Sequence, residues 1–119
     1  MEDRTRAKVA AAVAAATMNT QVTRVIDLEA GHEYRIRAKM SFGRLDGYDY
    51  HTERFFKGLS DETLNFYDYD TQSHVHLKLI GQVILGYDLK TETAFNGRAY
   101  ERMVSLYDYG TRQIYRYTI

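Results

Sequence analysis

One five-residue pattern constrains this chain more than any other feature. Tyr48-Asp49-Tyr50-His51-Thr52 recurs as Tyr67-Asp68-Tyr69-Asp70-Thr71, as Tyr87-Asp88-Leu89-Lys90-Thr91 and as Tyr107-Asp108-Tyr109-Gly110-Thr111. The copies start at 48, 67, 87 and 107, so the spacings are 19, 20 and 20 residues. A repeat of fixed period sets the architecture before any single residue does. Twenty residues hold two strands of ordinary length and two turns, so each repeat reads as a hairpin. Asp at the first position of a tight turn accepts backbone N–H groups on its carboxylate. The varied fourth position suits a solvent-facing turn. Tyr and the Tyr or Leu two residues on share one face of the strand.

Between the repeats lie further turn signals. Asn96-Gly97 reads as a type I′ hairpin turn and Gly81-Gln82 as type II′. Lys57-Gly58-Leu59-Ser60-Asp61 reads as a loop, and Gly43-Arg44-Leu45-Asp46-Gly47 as a turn. Turns about every ten residues describe an antiparallel meander of about seven to nine strands, an open curled sheet or a small barrel. Upstream, Tyr34, Ile36, Ala38, Met40 and Phe42 alternate with polar residues as a half-buried strand. Val22 to Leu28 forms a shorter strand before it, with Ala30-Gly31-His32 as the turn. The last strand, Gln113 to Ile119, is expected to lie within the sheet or to pair with another chain.

Residues 1–20 follow a different rule. Alanine dominates Ala7 to Ala16, and alanine is the best helix former. Val9, Val13 and Ala16 fall on one narrow face, suited to packing on a sheet or on a copy of itself. Arg4, Arg6 and Lys8 before an apolar run also invite a targeting-peptide reading. The lack of Leu, Ile or Phe in that run, and Glu2 and Asp3 ahead of it, argue against this. The run is short of the ~20 apolar residues of a membrane span. The fold class is therefore α+β and β-rich: a single domain with an N-terminal helix (1–20) packed on an antiparallel β-meander (21–119).

Composition narrows the function. The 119 residues carry 16 basic and 16 acidic side chains, giving a formal net charge of zero. Neither half is strongly basic, so nothing supports nucleic-acid binding. Zero net charge does little to keep copies apart. There is no cysteine, which excludes thiol catalysis, disulfides and zinc–thiolate sites. A reducing cytoplasm is the default compartment. No motif names a cofactor. No serine lies in a nucleophile elbow, and no glycine-rich loop precedes a helix.

Three candidate sites remain. His74 and His76 are two apart on a strand and point the same way, so both could reach one metal. Asp70, His51 or Glu53 could add a third ligand. The competing reading is two histidines on a solvated strand. The repeat Asp residues fit turns better than paired catalytic carboxylates, because catalysis needs unlike environments. The tyrosines could form a stacking platform, but cross-strand aromatic pairing explains their equivalent positions.

Phe66-Tyr67 and Ile84-Leu85 place apolar residues on both faces of their strands. A monomeric sheet with one wet face leaves that unexplained. The leading expectation is a non-catalytic binding or assembly module, a homo-oligomer. The alternatives are a small-ligand carrier with an apolar cavity lined by Tyr34, Ile36, Phe66 and Leu85, and a small metal-dependent enzyme using His74 and His76.

Overall fold

The computed structural model describes residues 1–119. One helix, α1 (Asp3–Met18), precedes eleven strands: β1 (Val25–Asp27), β2 (His32–Tyr34), β3 (Ile36–Ser41), β4 (Arg44–Asp49), β5 (Arg54–Ser60), β6 (Leu64–Asp68), β7 (Ser73–Ile80), β8 (Val83–Asp88), β9 (Thr93–Tyr100), β10 (Met103–Asp108) and β11 (Gln113–Thr118). All eleven form one antiparallel sheet in the order β2-β1-β11-β10-β9-β8-β7-β6-β5-β4-β3. The sheet has more strands than expected, and β1 pairs with β11, joining the first and last strands of the chain. The last strand is thus tied into the sheet.

The sheet curls until it nearly closes. Its two edges, β2 and β3, are neighbours in the chain, separated by Arg35 alone. Val22, just ahead of β1, pairs with Ala38 of β3 through hydrogen bonds of 2.8 and 2.9 Å. The segment that leads into β1 therefore also bridges the gap beside β3.

The helix fills the barrel. Every residue from Thr5 to Ala15 is buried, on all sides of the helix. It touches β3 and β4 from one end of the strand order and β1, β9 and β10 from the other. Only a sheet wrapped around the helix allows both. The narrow stripe of Val9, Val13 and Ala16 is not a docking face: Val9 and Val13 are buried, but so are their neighbours, and Ala16 is only half-buried. A helix apolar all round is one enclosed by protein. Small side chains make it thin enough to fit inside the wall, whose inward residues include Ile36, Leu45, Phe56, Phe66, Ile84, Phe95 and Leu106.

Inward glycines and large residues alternate around the wall. Gly47 lies beneath the Phe56 ring across the strand pair, and Gly86 beneath Phe95 in the same way. A Cβ at Gly58 would fall 1.8 Å from the Asn65 carbonyl oxygen, and one at Gly97 1.9 Å from that of Ser105. Strands approach there as closely as backbone allows, which bends the wall inward. Gly97 therefore belongs to β9, and Asn96-Gly97 is not a hairpin turn. In the same way Lys57–Ser60 is strand, with the loop at Asp61–Thr63, and Arg44–Gly47 is strand, with the turn at Phe42-Gly43. Both turn residues there have positive φ, +51° and +73°, as a two-residue type I′ turn requires. Phe42 is accordingly exposed at the turn rather than buried on β3. Gly81, at φ +59°, does lie in a two-residue turn between β7 and β8.

Candidate functional site

At one end of the barrel the repeat turns are alike in detail. Each Asp closes its strand and pairs with the residue five further on: Asp49 with Arg54, Asp68 with Ser73, Asp88 with Thr93, Asp108 with Gln113. One carboxylate oxygen accepts the backbone N–H two residues on, from His51, Asp70, Lys90 and Gly110, at 2.8–3.2 Å. The fourth residue after each Asp is left-handed: Glu53, Gln72, Glu92 and Arg112, with φ of 55–59°. The turn-forming role of these aspartates thus has direct geometry.

The hairpin of β1 and β2 is a fifth, diverged copy. Asp27 pairs with His32, accepts the Glu29 and Ala30 N–H groups at 3.0 Å, and is followed at the fourth position by Gly31 at φ +66°. Ile26 in place of Tyr and Ala30 in place of Thr hide it in the sequence.

All five aspartates are buried, and the other carboxylate oxygen decides their surroundings. Arg4 donates to Asp49 through Nε at 2.6 Å and Nη2 at 3.2 Å. Lys8 Nζ donates to both oxygens of Asp68, at 2.9 and 3.1 Å, with Asp49 and Asp70 carboxylates at 3.9 and 3.8 Å. Arg6 Nη1 donates to Asp108 at 2.9 Å, and its guanidinium lies 3.7 Å over the Tyr115 ring. Cations near a helix N-terminus are unfavourable by themselves; here the hairpins supply the counter-charge. Burial pushes the Asp49 carboxyl upward, but Arg4 and the His51 N–H reverse this and hold it below the usual carboxylate range. Burial is likewise outweighed at Asp108 by the Gly110 N–H, the Met1 amino group and Arg6. Burial also raises the phenols of Tyr34 and Tyr117.

Asp88 is different. No cation reaches it, and Thr91 Oγ1 donates to its second oxygen at 2.7 Å. The matching Thr52 hydroxyl of the first repeat is buried with no partner, because Arg4 has taken the oxygen it would use. Arg4, Arg6 and Lys8, which in the sequence invite a targeting-peptide reading, are instead the ion-pair partners of three repeat aspartates. Their signal was three cations on an alanine helix facing several equivalent carboxylates.

The other expected sites come apart. Tyr34, Ile36 and Phe66 face the interior, which α1 occupies, whereas Leu85 is exposed on the outside. The four do not line a common cavity. His74 and His76 do share the outer face of β7, with stacked rings 6.0 Å apart. His76 Nδ1 is 2.9 Å from Asn65 Oδ1. No three His, Cys, Asp or Glu side chains converge as a metal site. Tyr48 meets Tyr50, Tyr67 meets Tyr69 and Tyr107 meets Tyr109 edge to face, at 80–84° between planes, so these pairs are not coplanar platforms.

The outer faces of equivalent strands differ. Strands β4 and β8 are equivalent members of two repeats: Arg44-Leu45-Asp46-Gly47-Tyr48-Asp49 matches Val83-Ile84-Leu85-Gly86-Tyr87-Asp88. The outward side chains on β4 are Arg44, Asp46 and Tyr48. Those on β8 are Val83, Leu85 and Tyr87, continued by exposed Leu89 in the turn. Ile80 of β7, also exposed, lies across from Val83. No family model, curated protein or solved structure matches this chain. No helix is long and apolar enough to cross a membrane.

Proposed function

We propose that this protein is a non-catalytic binding or assembly module that self-associates through the outer face of β8. The observation that carries this is the contrast with β4. Both strands meet the same structural demands, and β4 meets them with Arg44 and Asp46 facing outward. Half-buried Val83 and exposed Leu85 on β8 are therefore not required by the barrel, and the exposure of Leu85 favours a partner surface. A second copy is the simplest occupant. Zero net charge opposes association weakly, and a strip running along one strand is self-complementary about a two-fold axis. A carrier would need interior space that α1 fills, and the two histidines lack a third ligand, so neither alternative gains support.

The test is native mass spectrometry and light scattering of the wild type and Leu85→Asp, which copies the residue of β4. The wild type is expected to dimerise with rising concentration and the variant to remain monomeric with an unchanged fold. A wild type that stays monomeric at high concentration would contradict the reading.

A further inference from the structure

We infer that the cleft where β2 meets β3 binds a small phosphate-bearing anion. This is the largest cleft on the molecule, about 490 Å³, and it lies at the end of the barrel where the repeat turns gather. Its lining is Arg4, His32, Glu33, Arg35, Tyr50 and His51. Four of these six side chains are able to carry positive charge. The first repeat turn is fastened to the β2–β3 junction by the Tyr50 N–H, which donates to the Arg35 carbonyl at 3.1 Å. The cleft walls are thus backbone-linked rather than formed by chance side-chain contact.

The charges are unevenly spent. Glu33, the one acid, pairs with Arg24 outside the cleft at 3.2 Å. Arg4 is held by Asp49 yet keeps about a quarter of its side chain accessible, at 23%. Arg35 makes no ion pair and no side-chain hydrogen bond, although it is exposed and borders the cleft. A free guanidinium, a second guanidinium held on one side by Asp49 and two imidazoles line this one cleft. That arrangement matches a tetrahedral oxyanion better than a planar carboxylate, which a single guanidinium fork satisfies. The outward half of Tyr50 adds an apolar wall for whatever carries the phosphate.

The experiment is an NMR titration of the full chain at pH 7 with sodium phosphate, against sodium acetate at matched ionic strength. Phosphate is expected to give saturable shifts at His32, His51 and Tyr50 in the millimolar range. Arg35→Gln removes only an unpaired surface side chain and is expected to weaken binding about tenfold or more, with the rest of the spectrum unchanged. Three results would each overturn the inference: no saturable response to phosphate, an equal response to acetate, or an Arg35→Gln variant that titrates like the wild type.

Discussion

The first and third repeats fold into the same hairpin and then diverge on both sides of the wall. Inside, Asp49 is held by Arg4 while the Thr52 hydroxyl goes unpartnered. Asp88 has no cation and is held by Thr91 instead. Outside, the first repeat presents Arg44 and Asp46 and the third Val83 and Leu85. The comparison separates two jobs that the motif combines. Asp and its backbone contacts make the turn in every copy. Recognition of the helix is an addition, made only where a cation arrives, and at Asp88, where none does, Thr91 is the internal partner. Asp27 and Asp88, the two without a cation, are also the two followed by Leu rather than Tyr.

This contrast predicts unequal costs for equal substitutions. The largest loss is expected for Asp68→Asn, which takes from the buried Lys8 ammonium its hydrogen-bonded carboxylate and leaves only Asp49 and Asp70 at 3.9 and 3.8 Å: about 3 kcal/mol or more in urea unfolding. Lys8→Met is expected to cost less, about 2 kcal/mol, because Thr71 occupies the repeat position from which Thr91 holds Asp88. Adding Thr71→Val to Lys8→Met should then deepen the loss, although Thr71→Val alone does little.

Acid gives a broader readout. The Asp49 and Asp108 carboxyls lie below their ordinary range in the folded state. Their stabilising contribution is present above the unfolded pKa of about 3.9 and is lost as pH falls through the depressed folded values. Stability measured from pH 6 downward should therefore decline from about pH 4. Asp49→Asn should flatten that decline more than a substitution at exposed Asp46.

The smallest effects are the sharpest test of the threonines. Thr91→Val removes a made hydrogen bond to a buried carboxylate and should cost about 1–2 kcal/mol. Thr52→Val removes a buried hydroxyl with no partner and should be neutral or slightly stabilising. Equal effects at the two positions would break the comparison.

The sequence displays the hairpins because their chemistry is local. Asp binds backbone two residues away, so period, turn and strand direction are visible in Tyr-Asp-x-x-Thr. The fifth copy escapes because only Asp27 and a left-handed position filled by Gly31 survive in it. Interior placement of α1 is not local. Arg4, Arg6 and Lys8 are 45, 102 and 60 residues from their carboxylates, and a charged run on an alanine helix looks solvated until the sheet closes around it. Gly58 and Gly97 mislead for a related reason. They read as turns, but they permit close approach between strands that neighbour only in the folded barrel.

The central claim is that the repeat carboxylates recognise the helix cations pair by pair. It is tested most directly by two double-mutant cycles in urea unfolding, Lys8→Met with Asp68→Asn and Lys8→Met with Asp88→Asn. Pair-by-pair recognition predicts a coupling of about 2 kcal/mol or more for the first cycle and within about 0.5 kcal/mol of zero for the second. Equal couplings would mean that recognition is not pair by pair, and none in either that the helix is held by packing alone and the charged collar is incidental.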